Sequence, residues 1–340
     1  MTHPLRSTAF CPRNPRWELL LLGSALLSAC ASGPRPVTGA PVVTAPGGMA
    51  PAPSRGRLTA PPAAMQIYDT KARRLIPFAT FAERLAAHQV VFFGEQHDDP
   101  ATHAAELAVL AAIGDRRPQV VVTLEMFERD VQGSLDQYLA GTISETTFLG
   151  ASRPWDRYTT DYRPMVELAR VRGWPVVAAN VPRRLASAVS RRGLALLDTL
   201  NAKDRALMAR DHQCPRDAYY EKFAETMKGH GAGGGPPTAS DAAAMERMTW
   251  RFYEAQCVKD EAMAESIVSA LTRSPEGTIV FQVDGAFHSD YGLGTAARVR
   301  RRLPGVKSVV LSAIPVADPA KGDPKPHEGK ADYLVFTRKQ

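Results

Sequence analysis

The sequence is short of cysteine and of long apolar runs. Its 340 residues include four cysteines, and phenylalanine, tryptophan and tyrosine together make up 7%. So few cysteines exclude a small domain held together by disulfide bonds. Beyond the N-terminal region, no apolar run reaches the roughly 18 residues of a membrane-spanning helix. With 44% hydrophobic and 23% charged residues, the composition is that of a folded protein.

The chain also lacks a basic stripe of the kind that binds nucleic acid. Its net charge is +7, but the arginines are scattered along the sequence and are not interleaved with aromatic residues. We therefore expect no nucleic-acid partner. The positive charge is better suited to an anionic ligand or an anionic envelope surface.

The N-terminal region has the pattern of an export signal. Three arginines precede a short apolar run over residues 19–27, which is too short to span a bilayer comfortably. The run leads into Leu27-Ser28-Ala29-Cys30, which resembles the lipobox of bacterial lipoproteins, in which the cysteine is acylated and becomes the new N-terminus. The pattern predicts a signal peptide over residues 1–29 and lipidation of Cys30. The alternative is an ordinary secretory signal in which Cys30 is incidental.

The next segment has the composition of a flexible tether. Residues 30–64 are rich in proline, glycine, alanine, serine and threonine and show no periodicity, which predicts a disordered link between the lipid and a folded domain over residues 65–340. The residue after the cysteine is Ala31 and not aspartate. By analogy with lipoprotein sorting, we expect an outer-membrane lipoprotein of the bacterial cell envelope, facing the periplasm or the cell surface.

The folded part alternates between strand and helix patterns. Short runs that are apolar on both faces are typical of a parallel sheet covered on both sides. They occur at residues 89–94, 119–125, 175–180, 278–284, 307–311 and 332–337. Helical patterns fall between them, near residues 100–114, 128–140, 161–172, 182–198 and 293–302. We predict an α/β fold with a mostly parallel sheet flanked by helices.

One stretch interrupts this alternation. Residues 201–274 carry helical patterns alone and predict an all-helical insertion, with a flexible glycine-rich loop at residues 229–237. A helix of about eight turns follows the loop and ends at Ser274-Pro275. Cys214 and Cys257 lie in this insertion. In an oxidising compartment they form either a disulfide that joins two helices or two free buried thiols.

Polar residues close four of the predicted strands. Glu95 and His97 follow the first, Glu125 closes the second, Asn180 and Arg183 follow the third, and His288 follows the fourth. Because the carboxyl ends of parallel strands meet at one edge, where ligand sites of open α/β sheets form, these side chains predict a shared polar site.

The long helix adds two polar residues to an apolar face. The face contains Met245, Met248, Phe252, Met263, Ile267 and Leu271, which we expect to pack on the protein. Gln256 and Asp260 lie in the middle of it and need hydrogen-bond partners there. They either bond to neighbouring helix ends or the sheet edge, or they support the strand-end residues from behind.

These motifs resemble a known family. The segments 94–99 (GEQHDD) and 124–127 (LEMF) are similar to those of the haem-binding-uptake lipoproteins of the ChaN type, within the Tiki/erythromycin-esterase-like superfamily. Supporting matches follow in the same order, at Trp155, residues 162–164, residues 178–183, residues 255–264 and residues 285–288. The resemblance covers about residues 75–315. It departs from the family at Lys259, where an aromatic residue often stands, and at Phe287, where a small one does.

The resemblance implies haem binding for iron acquisition by a dimer, with a tyrosine on the iron and histidine and lysine on the propionates. Tyrosinate favours ferric iron. Among Tyr158, Tyr162 and Tyr291 we favour Tyr162 as the ligand, and the propionate histidine is either His97 or His103. The residues expected around the haem are Tyr162, His97, His103, Glu95, Glu125, Asn180, Arg183, His288 and Tyr291.

The wider superfamily implies a second possibility. Some relatives are hydrolases, and Glu95, His97, Glu125 and His288 form a set that can hold a divalent metal and activate water. Without a metal, a histidine–glutamate pair can act as general base directly. The remaining alternatives are a purely structural charge network and an adaptor lipoprotein.

Overall fold

The computed structural model describes residues 65–228 and 239–339. The predicted signal peptide, Cys30 and the tether lie outside these residues, as does the glycine-rich stretch at 229–237. Within the described part of the chain, no helix is both long enough and apolar enough to cross a bilayer.

A single sheet forms the centre of the fold. Its strands are β1 (Met65–Asp69), β2 (Arg74–Ile76), β3 (Val90–Glu95), β4 (Val120–Glu128), β5 (Val176–Asn180), β6 (Ile279–Gly285), β7 (Ser308–Val316) and β8 (Tyr333–Arg338). They are ordered β2-β1-β8-β7-β3-β6-β4-β5. Strands β3 to β8 pair in parallel, whereas β1 pairs antiparallel with β2 and β8. The mostly parallel α/β fold is confirmed, with an additional antiparallel hairpin at one edge.

Helices cover both faces of the sheet. They are α1 (Phe78–Leu85), α2 (Pro100–Gly114), α3 (Gln132–Leu139), α4 (Glu145–Ser152), α5 (Tyr158–Asp161), α6 (Arg163–Arg172), α7 (Arg183–Arg192), α8 (Ala202–Leu207), α9 (Ala218–Lys228), α10 (Ala239–Arg273) and α11 (Gly294–Arg302). Along β3, Val91 and Phe93 lie in an apolar cluster that includes residues of α1 and α2. Phe92 lies in a second cluster, with residues of α10 and α11. The central strand is therefore apolar on both sides because both sides are covered.

Several boundaries differ from the prediction, among them the end of one helix and the end of one strand. The helix predicted over residues 182–198 ends at Arg192, because Gly193 has a φ of 79° that glycine alone adopts freely, and a 3-10 segment, Leu194–Thr199, follows. Strand β4 continues past Glu125 to Glu128, with a shift of register against β5 between Leu124 and Glu128. Glu125 therefore lies inside the strand and not at its end.

The insertion contains helices and connecting loops among its described residues. Its long helix, α10, has 35 residues, about ten turns and not eight. Met263 and Ile267 are buried as expected, but Met245, Met248 and Phe252 are 37%, 41% and 40% exposed. The expectation of one continuous packed face is wrong for the first half of α10. There the buried side chains, such as Tyr253, belong to a cluster with Tyr219 of α9.

A disulfide joins the loop before α9 to α10. Cys214 and Cys257 are bonded, with their Cα atoms 5.6 Å apart. Of the two alternatives left open by the sequence, the bonded pair is the one in the structure. The bond closes a loop with a sequence separation of 43 and holds α9 against the middle of α10.

We expect the double variant Cys214→Ser/Cys257→Ser to lose about 2–4 kcal/mol in free energy of unfolding, because the unfolded chain regains the entropy of that loop. Urea unfolding of the oxidised protein and the variant measures the difference. Dithiothreitol should destabilise the native protein to the level of the variant and leave the variant unchanged. Equal midpoints for the native protein with and without reductant would contradict this expectation.

Candidate functional site

The carboxyl ends of four neighbouring strands line a cavity of about 940 Å³. The strands are β5, β4, β6 and β3, and helices α9 and α10 contribute further walls. The cavity brings together six of the residues predicted for the site, namely Glu95, His97, Glu125, Asn180, Arg183 and His288. The parallel sheet thus places the strand ends as the sequence suggested.

Three of the residues predicted for the site do not line this cavity. Tyr162 is buried and borders an adjoining cavity of about 740 Å³, which shares part of its wall, including His97, with the first. His103 is buried behind Glu95. Tyr291 is 40% exposed and lines a separate cavity of about 280 Å³.

His97 lies between the two cavities. Its Nδ1 bonds to Glu95 Oε1, and its ring lies over Gly285, where a Cβ would come 2.7 Å from His97 Nε2. A side chain at position 285 would therefore require the His97 ring to move. Burial by itself lowers the pKa of His97. The bond to Glu95 and the charges of Glu125 and Glu95 outweigh burial, so the pKa lies above its usual value.

His288 lies between two carboxylates. Its Nε2 is 3.3 Å from Glu125 Oε1, and its Nδ1 is 2.7 Å from Asp260 Oδ1. Gln256 also reaches the ring, with its Nε2 3.1 Å from His288 Nε2. Thr295 donates to Asp260 at 2.8 Å. Asp260 therefore supports a strand-end residue from behind, which is the second of the two roles considered for this pair, whereas Gln256 contacts the same ring from the cavity wall.

The charges of this cluster follow from its burial. Desolvation lowers the pKa of His288, but Glu125 and Asp260 outweigh desolvation and raise the pKa to about 10. Burial raises the pKa values of both carboxyls, but the charge of His288 overcomes burial and holds both below their usual range. At neutral pH, His288 is thus an imidazolium between two carboxylates and not a free base.

Tyr162 is tied to Glu95. Its hydroxyl donates to Glu95 Oε1 at 2.8 Å, and burial followed by the charge of Glu95 raises the pKa of Tyr162 far above its usual value. Burial, and then the charge of Glu106, also raises the pKa of Glu95, to about 8. The tyrosine is therefore a neutral phenol in this structure.

Sequence reasoning did not assign several cavity residues. Lys259 of α10 and Lys330 of the loop before β8 line the larger cavity, as do Phe223 and Thr226 of α9. Lys259 precedes Asp260 in the sequence. Its departure from the family pattern was the one feature of the sequence that could have indicated a place in the cavity wall. Nothing in the local sequence around Lys330 indicates its place, because the polar loop reaches the cavity only through the fold.

Comparison with known proteins identifies the family. A sequence model of the family described as "Haem-binding uptake, Tiki superfamily, ChaN" matches residues 81–299, well over half of the chain. The chain belongs to this family. Among solved structures, ChaN of Campylobacter jejuni with cofacially bound haem has the same fold, with a TM-score of 0.57 at 15% identity over 81% of this chain and 98% of that one.

More distant similarities accompany the family match. An erythromycin esterase mutant in its open conformation aligns with a TM-score of 0.43 at 11% identity, over 81% of this chain and 83% of that one. The chloroplastic protein RETICULATA-RELATED 5 of Arabidopsis thaliana is 22% identical over 243 residues. This ChaN-family chain spans 32% of the length of that plant protein, and the alignment covers 68% of the chain.

Replacing His288 tests the charge assignment. We expect His288→Gln to lower the free energy of unfolding at neutral pH by about 3–5 kcal/mol, because Glu125 and Asp260 then lack their shared cation. A group whose pKa rises from 6.5 to about 10 on folding stabilises fully below the lower value and loses its effect as pH passes the higher one. The native protein should therefore lose stability as the pH rises between these two pKa values. The His288→Gln variant should not show that loss.

Urea unfolding across this pH range gives the measurement, and the control is His88→Gln, whose histidine caps Arg84 O away from the cavity. The free energy of unfolding of His88→Gln should depend on pH as that of the native protein does. A His288→Gln protein as stable as the native one at neutral pH would show that the imidazole is not a buried cation.

Proposed function

We propose that the protein binds haem at the carboxyl edge of the sheet and serves in iron acquisition at the bacterial cell envelope. The observation that carries the proposal is the cavity of about 940 Å³ built from the very strand ends that bear the family's motifs. Its volume falls at the upper end of the range for small-molecule and cofactor sites.

Cationic side chains at the cavity suit the haem propionates. Arg183, Lys259 and Lys330 line its wall, and Arg183 also borders the adjoining cavity. Lys330 is held by Asp290, with 3.1 Å between Nζ and Oδ2. Guanidinium and ammonium groups form the strongest hydrogen bonds with carboxylates. We propose that these three residues orient the propionates.

Aromatic rings provide apolar walls for the macrocycle. Trp155 lines both cavities and meets the His97 ring edge to face, with centroids 5.0 Å apart. Phe287 packs against Tyr219 and Phe223, with centroids 5.0 Å and 5.8 Å away, so the bulky residue at this position forms part of the wall. Flat aromatic surfaces of this kind suit a porphyrin face.

For the iron ligand we propose Tyr162. It borders the adjoining cavity, and its hydroxyl lies 2.8 Å from Glu95 Oε1. A phenol must give up its proton to bind ferric iron, and the ionised form of Glu95, whose Oε1 accepts the phenol's hydrogen bond, is the nearest group that can receive it. Bound haem would supply the Lewis-acidic iron that favours the tyrosinate. The homodimer implied by the resemblance is part of the same proposal.

The hydrolase alternative finds less support in the geometry. Without a metal it needs a neutral imidazole as general base, yet the charges of Glu125 and Asp260 outweigh burial and raise the pKa of His288 to about 10. Among these described residues, Glu95, His97, Glu125 and His288 do not form a group whose ligand atoms all lie within 4.8 Å of one another. We therefore do not propose hydrolysis by this set.

Titration of the purified protein with haemin tests the proposal. We expect a saturable Soret band, and we expect Tyr162→Phe to weaken binding tenfold or more, about 1.4 kcal/mol, because the variant lacks the oxygen ligand. Absorbance titration gives both affinities.

The matched control is Tyr158→Phe. Tyr158 is a buried tyrosine whose hydroxyl has no hydrogen-bond partner among the described residues. Removing that hydroxyl should leave haemin binding unchanged. Absence of a saturable band in the native protein would refute the proposed function, whereas equal affinities for native protein and Tyr162→Phe would refute the ligand assignment alone.

The lipid anchor is a separate part of the proposal. The lipobox-like segment before Cys30 supports acylation of that residue. We expect Cys30→Ser to move the protein from the membrane fraction to the soluble fraction of expressing bacteria, because the acyl chains are lost. Cys11→Ser, within the predicted signal peptide, is the control and should stay with the membranes. Membrane retention of Cys30→Ser would contradict the anchor.

A further inference from the structure

A second cluster of ionisable side chains lies behind the cavity, in the interior of the protein. Glu95 comes from the end of β3, and His103 and Glu106 come from one face of α2, three residues apart. Their exposed fractions are 2%, 4% and 0%. Neither the haem proposal nor the His288 cluster uses His103 or Glu106.

The ligand atoms of the three residues have the spacing of a coordination sphere. His103 Nδ1 lies 3.6 Å from Glu95 Oε2 and 3.2 Å from Glu106 Oε2. One nitrogen and two carboxylate oxygens lie within 4.8 Å of one another. Ligands about 2.0–2.2 Å from a tetrahedral metal are separated by roughly 3.3–3.6 Å, which is the spacing seen around His103 Nδ1.

Two oxygens of the cluster have no hydrogen-bond partner. Among the residues that the structure describes, Glu95 Oε2 and Glu106 Oε1 are buried and accept no hydrogen bond. Glu95 Oε1, by contrast, accepts from Tyr162 at 2.8 Å. Buried carboxylate oxygens are rarely left in this state, and each calls for a missing partner, such as an ion.

The other nitrogen of His103 is already engaged. Its Nε2 lies 3.3 Å from Asp161 Oδ2 and 3.2 Å from His97 O, and Asp161 is itself held by Arg157. A proton on Nε2 satisfies these two acceptors and leaves the lone pair of Nδ1 directed at Glu95 and Glu106. Metal-binding histidines are commonly oriented in this way, by a carboxylate on the second nitrogen.

From this geometry we infer that Glu95, His103 and Glu106 form a binding site for a divalent transition metal such as Zn²⁺, with Asp161 as the residue that orients His103. Two carboxylates and one imidazole are a donor set that suits Zn²⁺, Mn²⁺ or Fe²⁺. Glu95 also lines the large cavity, so the cluster lies directly behind the cavity wall. The metal site shares Glu95 with the proposed haem pocket, whereas Glu106 does not line either cavity at the sheet edge.

A shared proton is the competing occupant of the cluster. A proton shared between Glu95 and Glu106, or between one of them and His103, would also remove the repulsion between hydrogen-bond acceptors that face one another. Replacing Glu106 by glutamine distinguishes the two occupants. An amide at position 106 can mimic a protonated acid, whereas it removes the charged ligand that a metal needs.

The test uses Co²⁺ as a visible probe. Full-length protein, purified free of haem and treated with chelator, is titrated with Co²⁺ and followed by ligand-field absorption, then by displacement with Zn²⁺. We expect one Co²⁺ per chain. His103→Gln and Glu106→Gln should each weaken binding by at least ~100-fold, and Asp161→Asn by about 10–100-fold, the usual effect of removing an orienting partner.

Asp284→Asn is the matched control. Asp284 is a buried carboxyl on the neighbouring strand β6 and hydrogen-bonds to Ser289 at 2.9 Å, outside the cluster. Its replacement should leave Co²⁺ binding unchanged. Binding to the native protein that is no tighter than to Glu106→Gln would overturn the site.

Thermal unfolding provides the second readout. We expect Zn²⁺ to raise the midpoint of the native protein and of Asp284→Asn, and to leave Glu106→Gln unaffected, because a metal stabilises the state that binds it. A Glu106→Gln protein as stable as the native one, with neither protein responding to Zn²⁺, would show that the cluster holds a proton and would refute the metal site.

Discussion

Burial of carboxylates at the carboxyl edge of the sheet is the constraint on which the rest of the site depends. Strands β3, β4 and β6 bring Glu95, Glu125 and Asp284 to this edge, and each is almost inaccessible to solvent. An ionised carboxylate is stable there only beside a cation or several hydrogen-bond donors; otherwise it takes up a proton. Glu125 has His288, whereas burial raises the pKa of Asp284 well above its usual value. The segments that directly follow the strands supply most of these partners.

The parallel part of the sheet could be predicted because its strands are apolar on both faces, a pattern set by the strands themselves. The hairpin of β1 and β2 could not, since these short strands owe their pairing to β8, which lies more than 250 residues further along the chain. The first half of α10 shows the same limit. Met248 and Tyr253 are both apolar candidates for the buried face, and the position of α9 decides that Tyr253 is covered.

The site was predictable to the extent that its residues follow strands. Glu95, His97 and His288 are conspicuous as polar residues at the ends of apolar runs. Glu106 and Asp161, by contrast, look like ordinary helix charges, since their neighbours in sequence do not show that α2 and α5 meet behind β3. Long-range packing therefore determines which acids join the site, and a linear pattern does not contain that information.

The disulfide between Cys214 and Cys257 has a consequence for the shape of the large cavity. The bond restrains α9, and α9 contributes Phe223 and Thr226 to the wall of the large cavity. Thiols in a reducing cytosol stay unbonded, while oxidising compartments favour the bond. One wall of the cavity is thus held firmly only after the chain meets an oxidant. The redox state of these two cysteines is therefore coupled to the rigidity of the cavity wall.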